Sequence, residues 1–182
     1  MTTPRLFHYA LLLLIAANTI SCSATAVVST PSATQATPFA DPFAYCAAVG
    51  TIDAPDARYA GPKVPDVIAK GLQKAFNAPP DAPLDVFVRN SFWRCMDGKV
   101  VACSVGANIP CEGKADMSKT PNEGMTNWCE SNPNAEVIPA AAAGRETVYE
   151  WRCVNGAPQI VRQVFTPDAR GFISSFWYVI GQ

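Results

Sequence analysis

The spacing of apolar residues predicts one amphipathic helix in the first half of the chain. Apolar side chains recur at intervals of three and four residues between Val64 and Phe76, and Gly71 falls on the same face. Pro65 suits the first turn, where its missing N–H has no helical partner to lose. Asn77, which precedes a proline-rich stretch, marks the end of the helix.

A second helix is predicted from a capping pattern in the segment Thr120–Glu123. In a capping box the threonine oxygen accepts a hydrogen bond from a free N–H, and the glutamate three residues later reaches back to the threonine N–H. The helix should end at Asn132-Pro133, because proline disfavours a helical conformation in the residue before it. Three residues of this helix would face the core: Met125, Trp128 and Cys129.

Alternating and β-branched segments predict strands arranged around two tight turns. Asp97-Gly98 and Asn155-Gly156 suit type I′ turns, which need a positive φ at both central residues. We therefore expect an α+β fold in which two helices pack on an antiparallel sheet of about five strands. The expected order is helix, hairpin, helix and three-stranded meander. The predicted strands are 85–95, 100–105, 147–153, 159–165 and 172–180.

A short sequence recurs where each predicted hairpin turns. Trp93–Gly98 has the sequence WRCMDG, and Trp151–Gly156 has the sequence WRCVNG. One interpretation is a duplicated unit of a helix and a hairpin. The other is a shared way of ending a strand, with a large core residue, a bridging cysteine and a turn. We favour the second interpretation over a ligand-binding motif.

The longest apolar run of the chain lies close to its N-terminus. The run Ala10–Ala17 follows Arg5 and precedes small and polar residues. A positive start, a short apolar stretch and small residues are typical of a secretory signal peptide, and this run is too short for a membrane span. We predict a signal peptide over residues 1–21.

The segment Ile20-Ser21-Cys22 resembles the lipobox of bacterial lipoproteins. The resemblance implies that Cys22 is lipidated and becomes the new N-terminus, which would anchor the protein to a membrane in the cell envelope outside the cytoplasm. The alternative is ordinary cleavage at the A-x-A site Ala24–Ala26. That cleavage would release a soluble protein, either periplasmic or secreted, which begins at Val27.

The segment 22–38 favours lipidation because its composition is that of a tether. It is rich in Ser, Thr, Ala and Pro, and it contains no charged or aromatic residue. Such a segment buries too little apolar surface to offset the entropy of ordering it, so we expect it to be disordered. The remaining residues, 39–182, should form a single globular domain.

Cysteine count and spacing indicate a disulfide framework in that domain. Without Cys22 an even number remains, and an exported domain with an even number of cysteines is typically cross-linked. A thiolate metal site or a redox pair would need a closely spaced C-x-x-C motif, which the chain lacks. The predicted disulfide residues are Cys46, Cys95, Cys103, Cys111, Cys129 and Cys153.

The register of the first hairpin restricts the pairing of these cysteines. With Asp97-Gly98 as the two-residue loop, Cys95 faces Val100 and Cys103 faces Phe92. Cys95 and Cys103 then project from opposite sides of the hairpin, so a bond between them is not expected. We expect Cys103, Cys111 and Cys129 instead to fasten the loop 106–119 to the second helix.

Composition and charge exclude several classes of chemistry. The chain has 14 Lys and Arg against 15 Asp and Glu and no basic stripe, which argues against a nucleic-acid partner. The one histidine, His8, lies in the predicted signal peptide. The mature domain would therefore lack imidazole-dependent catalysis and histidine-ligated zinc. No phosphate-binding loop or metal-binding pattern is present. We assign no catalytic residue, metal or cofactor.

Aromatic residues supply the candidate binding surface. Side chains alternate along a strand, so Phe176–Tyr178 should place at least one ring away from the core. An aromatic ring beside an arginine could stack on a sugar or hold a protein partner, although packing in the core is the alternative for each tryptophan. The candidate surface comprises Trp93, Arg94, Trp151, Arg152 and Trp177.

Several segments together resemble uncharacterised exported bacterial proteins: FWRCMDGKV, CSVGANIPC, TPNEGM and the Trp128-Cys129 pair. The resemblance implies export but no activity. We expect a cell-envelope lipoprotein that acts as a non-catalytic binding module for an envelope protein or a glycan. A structural surface protein is the first alternative. The second is a histidine-independent hydrolase that acts on cell-wall material.

Overall fold

A computed structural model describes residues 37–181. The predicted signal peptide, the predicted lipidation residue Cys22 and nearly all of the predicted tether lie outside the described residues. The described part is an α+β structure, as expected. Its helices are α1 (Pro42–Val49), α2 (Asp66–Ala75), α3 (Leu84–Arg89), α4 (Glu123–Ser131) and α5 (Ala140–Ala143). Its strands are β1 (Ser91–Met96), β2 (Lys99–Ser104), β3 (Tyr149–Val154), β4 (Ala157–Gln163) and β5 (Tyr178–Val179).

The first sheet is antiparallel, with the strand order β1-β2-β5. The predicted hairpin register is confirmed, because Cys95 lies opposite Val100 and Phe92 lies opposite Cys103. The predicted three-stranded meander is wrong, because β5 pairs with β2 and not with β4. After β4 the chain returns to the first sheet, where the Ile180 N–H donates to the Val100 carbonyl at 2.9 Å.

The second sheet contains only the β3–β4 hairpin, so the single sheet of about five strands is also wrong. Its register shifts between Glu150 and Trp151, which leaves a bulge. The other edge of β3 is covered by the segment after α4. There Ile138 N–H donates to the Trp151 carbonyl at 2.8 Å, and Cys153 N–H donates to the Ala135 carbonyl at 2.8 Å.

The two predicted helices are present as α2 and α4. In α2, Gly71 lies directly against the side chain of Ile180, and a Cβ at position 71 would be only 2.5 Å from Ile180 Cγ2. The predicted start of α4 is wrong. Asn122, not a threonine, caps this helix, because its side-chain oxygen accepts the Met125 N–H at 2.8 Å.

Three α-helices were not predicted, nor was the 3₁₀ helix Ser174–Phe176, which replaces the middle of the predicted strand 172–180. The segment predicted to start a strand at residue 85 instead forms α3. An ion pair between Asp85 and Arg89 links two successive turns of this helix. Helix α1 begins after Asp41, whose carboxylate accepts the N–H groups of Phe43 and Ala44 at 2.7 and 2.8 Å. Helix α5 is a single turn that ends at Gly144.

All six predicted cysteines form disulfides: Cys46–Cys95, Cys103–Cys111 and Cys129–Cys153. The exclusion of a Cys95–Cys103 bond is confirmed. The predicted attachment of loop 106–119 to the second helix is wrong. Cys111 bonds to Cys103 and so joins that loop to β2. Cys129 is fully buried against the second hairpin and bonds to Cys153 there.

The described residues contain two hydrophobic cores, and each copy of the recurring sequence contributes to one of them. Trp93 and Cys95 lie in a core built on the first sheet, and Trp151 and Cys153 lie in a core built on the second. Each cysteine bonds to a helix, α1 in the first core and α4 in the second. Both turns have positive φ at their central residues. The repeat therefore has the geometry of an anchor, a bridge and a turn.

Candidate functional site

A cleft of about 360 Å³ opens beside the second sheet. Its volume falls within the range of small-molecule sites, about 300–1,000 Å³. Strands β3 and β4 form one wall, and α5 with the segments around it forms another. The lining residues are Asn108, Val137, Ile138, Ala140, Ala143, Gly144, Arg145, Thr147, Tyr149, Glu150, Trp151, Arg162, Val164 and Phe165.

The inner part of the cleft is aromatic and aliphatic. Tyr149 and Trp151 are two residues apart on β3, and their rings meet edge to face with centroids 6.3 Å apart. The Trp151 Nε1–H donates to Thr147 Oγ1 at 3.2 Å, so the indole is fixed in orientation. Both rings are buried and belong to the second core, which makes this wall of the cleft rigid.

The rim of the cleft carries charges of both signs. Glu150 and Arg162 lie opposite each other on β3 and β4, and Arg162 Nε donates to Glu150 Oε2 at 2.6 Å. Arg145 is exposed and forms no ion pair with any residue in the range 37–181. Among the described residues of the rim, Arg145 is therefore a cation without an ion-pair partner, next to a paired carboxylate and guanidinium.

The structure places most of the predicted binding surface in the interior. Trp93 is buried among aromatic rings of the first core, and its Nε1–H donates to the Lys63 carbonyl at 2.7 Å. Arg94 and Trp151 are buried as well. These three side chains are core residues and do not form an exposed surface, although Trp151 lines the cleft from beneath. Arg152 is exposed but lies outside the cleft lining.

Two of the predicted residues, Arg94 and Trp177, do come together, but in a structural cluster. The Arg94 guanidinium carbon lies 4.3 Å from the Trp177 ring centroid and 4.4 Å from that of Phe172. The same guanidinium forms an ion pair with Asp168. These contacts fasten the segment 166–177 to β1, and we call the group the cation–aromatic cluster.

Three more charged residues, Lys114, Asp53 and Arg170, lie beside this cluster. Lys114 Nζ lies 3.6 Å from the Phe172 centroid and donates to Asp53 Oδ2 at 2.6 Å. Arg170 Nε donates to Asp53 Oδ1 at 2.8 Å. The Arg170 hydrogen bond is the largest influence on the Asp53 carboxyl and, together with Lys114, lowers its pKa to about 2.

The cleft was not predicted, because α5 and its flanking residues form one of its walls and no element was predicted for them from the sequence. The sequence of this segment does contain a pattern that indicates a short helix. Pro139 precedes four alanines, and Gly144 follows them, which is the order of residues that favours a short helix with proline at its start and glycine at its end. No comparable signal brings Asn108 to the same place, because only the tertiary fold does so.

Two further observations apply to the described part of the chain. Within residues 37–181, no group of three or more His, Cys, Asp or Glu side chains is arranged to hold a metal ion. Over the same range, no helix combines the length and apolar character needed to cross a bilayer. Comparison of the chain with protein-family models, with curated proteins and with solved structures found no match.

Proposed function

We propose that this protein is an exported cell-envelope lipoprotein whose domain binds a small ligand without chemical conversion, and that the ligand occupies the cleft beside β3 and β4. The cleft itself carries the proposal, because it combines a rigid apolar wall with a few polar groups at the rim. That combination is typical of small-molecule sites. Lipidation at Cys22 would hold the domain at a membrane surface.

Three disulfides support the export part of the proposal. Disulfides form and persist in oxidising compartments and are rare in the cytoplasm of mesophilic cells. All six cysteines among residues 37–181 are bonded, and four of them have no exposed surface at all. The framework therefore fits a protein that folds after it has left the cytoplasm.

The chemistry of the lining favours a cell-wall glycan as the ligand. A sugar ring has an apolar face that packs on aromatic side chains, and its hydroxyl groups lie around the ring edge. The half-buried Phe165 and the exposed Val137 and Val164 supply apolar surface next to the buried Tyr149 and Trp151 rings. Asn108 and the Glu150–Arg162 pair supply donors and acceptors at the rim. Arg145 would bind a carboxylate on an acidic sugar or on an attached peptide.

Calorimetric titration with soluble cell-wall glycan fragments tests this proposal. We expect saturable binding that Arg145→Ala weakens by about tenfold, the order of one charge-assisted hydrogen bond. Arg152→Ala is the matched control, because Arg152 is also exposed and lies outside the cleft lining. The absence of binding, or equal effects of the two variants, would overturn the proposal. Release of shortened glycans during the titration would indicate a hydrolase instead.

Mass spectrometry of the mature protein tests the anchor separately. We expect an N-terminal Cys22 whose mass is increased by acyl chains. An unmodified chain that begins at Val27 would contradict lipidation and leave the cleft proposal unaffected.

A further inference from the structure

Thr147, which lines the cleft just before β3, has a hydroxyl group that accepts two hydrogen bonds. Its oxygen receives the Trp151 Nε1–H at 3.2 Å and the Tyr149 N–H at 3.3 Å. A hydroxyl group has two acceptor lone pairs and one proton. Both lone pairs are therefore in use, and Thr147 can act towards a ligand only as a donor.

The proton of this hydroxyl group has no acceptor among the described residues. Every hydrogen bond that Thr147 Oγ1 forms within residues 37–181 is one that it accepts. Thr147 is half-buried and belongs to the lining of the cleft. Its proton is therefore left for water or for a ligand that enters the cleft.

The backbone on both sides of Thr147 is fixed by pairing with another segment. Asp116 N–H donates to the Glu146 carbonyl at 2.7 Å, and Val148 N–H donates to the Asp116 carbonyl at 3.0 Å. A donor that is already held in place loses little conformational freedom when a ligand binds, which favours affinity.

The indole group of Trp151 does not by itself require a threonine. In the other copy of the recurring sequence, the Trp93 Nε1–H donates to the Lys63 backbone carbonyl at 2.7 Å. A carbonyl oxygen accepts such a bond as a hydroxyl oxygen does, but it carries no proton. What Thr147 adds to the cleft is therefore a donor.

The charged side chains of the cleft also favour a ligand that accepts hydrogen bonds. Arg145 and Arg162 can only donate. Glu150 is the one carboxylate among the described lining residues, and it already accepts from Arg162 Nε at 2.6 Å. The Asn108 amide and the Tyr149 hydroxyl can serve in either role. Donors without a partner therefore outnumber free acceptors around the cleft.

We propose that the cleft selects N-acylated amino sugars, and that Thr147 donates its hydroxyl hydrogen bond to the carbonyl oxygen of the acyl group. A carbonyl oxygen only accepts, so it matches a group that only donates, whereas a sugar hydroxyl brings a proton that needs an acceptor of its own. The methyl group of the acyl substituent packs on the apolar lining, which includes Ile138, Ala140 and Ala143. The inference rests on the proposed glycan binding and names the class of sugar.

Calorimetric titration with two neutral tetrasaccharides tests this selectivity. One is built from N-acetylglucosamine and the other from glucose with the same linkage, so they differ in the acetamido group and not in charge. We expect the wild type to bind the acetylated tetramer about tenfold more tightly, the order of one hydrogen bond and one partly buried methyl group. Equal affinities would overturn this inference alone, whereas binding of neither tetramer would overturn the proposed function together with it.

Substitutions of Thr147 assign the preference to its hydroxyl group. Thr147→Val should lower the preference to about threefold, because the donor is lost and the methyl contact remains. Thr147→Ser keeps the hydroxyl group and should keep the tenfold preference. Thr126→Val is the matched control and should also keep it, because Thr126 is exposed on α4 and lies outside the cleft lining. An undiminished preference in Thr147→Val would overturn the inference.

Thr147→Val also removes the acceptor of the Trp151 Nε1–H, so a general disturbance of the cleft must be distinguished from loss of the donor. The ratio of the two affinities does so, because a disturbed cleft should bind both tetramers less tightly. Saturation-transfer NMR on the wild type needs no variant. The acetyl methyl protons of the bound tetramer should receive more saturation than its ring protons. Weaker saturation of the methyl protons would place the acyl group outside the cleft and overturn the inference.

Discussion

The guanidinium of Arg94 on β1 forms an ion pair with Asp168, which lies 74 residues later in the chain. The side chain of Arg94 is 1% exposed and that of Asp168 is 12% exposed. Asp168 also accepts the N–H groups of Arg170 and Phe172 through its other carboxylate oxygen. One carboxylate therefore neutralises a buried charge and shapes the loop that covers it.

Replacing Asp168 should destabilise the domain strongly. Asp168→Asn leaves the buried Arg94 guanidinium without its counter-charge, and breaking a buried ion pair in this way costs about 3–5 kcal/mol. Chemical denaturation, followed by tryptophan fluorescence, measures the loss in the free energy of unfolding.

The control for that variant is Asp85→Asn, which breaks the exposed pair with Arg89 on α3. An exposed pair of this kind contributes less than about 1 kcal/mol. If Asp168→Asn were as mild as Asp85→Asn, the ion pair with Arg94 would not be what holds the loop in place.

The register of the first hairpin could be predicted to the residue, because its turn is local. Asp97-Gly98 defines the two-residue loop, and the pairing of Cys95 with Val100 follows by counting. The position of β5 could not be obtained in this way. It depends on Ile180 packing against Gly71, a contact between distant residues for which no spacing rule exists.

The predicted start of a strand at residue 85 was wrong because tertiary contacts outweighed the local preference of its residues for a strand. The α3 segment contains β-branched and aromatic residues that favour a strand, yet it forms a helix. The burial of Trp93, Arg94 and Trp151 could not be predicted for another reason: an aromatic residue next to an arginine has the same sequence pattern whether it is exposed or buried. Arg94 is buried because Asp168 is available to pair with it, whereas Arg152 in the second copy is exposed.

The three disulfides should contribute unequally to stability. Loop closure in the unfolded chain predicts about 4 kcal/mol for Cys46–Cys95, about 3.5 kcal/mol for Cys129–Cys153 and about 2.5 kcal/mol for Cys103–Cys111. The order follows the sequence separations of 49, 24 and 8 residues.

Replacing each pair by two alanines and measuring the free energy of unfolding tests this order. All six cysteines are nearly or fully buried, so the cost of the cavities should be similar in the three variants. A larger loss from the Cys103–Cys111 variant than from the Cys46–Cys95 variant would contradict the entropic explanation.

Asp53 should contribute to acid sensitivity through its two cationic partners. Its pKa is about 2 in the folded protein, below the ordinary value of 3.8, chiefly because Arg170 donates a hydrogen bond to it. A carboxyl with a lowered pKa stabilises the fold above its unfolded-state pKa, and that stabilisation is lost as pH falls from about 4 towards 2. The partly exposed position of Asp53 keeps the contribution small.

Carboxyl titration followed by NMR tests this assignment. Arg170→Gln should raise the pKa of Asp53 towards 3.8, because the strongest stabilising hydrogen bond to the carboxylate is removed. The control is Arg58→Gln, which removes the partner of Asp56 and leaves both partners of Asp53 in place. An Asp53 pKa that stays near 2 in Arg170→Gln would assign the shift to Lys114 instead.

Gly71→Ala should destabilise the domain even though alanine is the better helix former. On an exposed helix face this substitution stabilises by about 1 kcal/mol. Here the added methyl group would lie 2.5 Å from Ile180 Cγ2, so the C-terminal segment must shift, at a cost of about 1–3 kcal/mol. The same substitution in an Ile180→Ala background should cost far less, because the methyl group then has room. A double-mutant cycle on the free energy of unfolding measures this coupling. Equal costs in both backgrounds would show that Ile180 does not pack on Gly71.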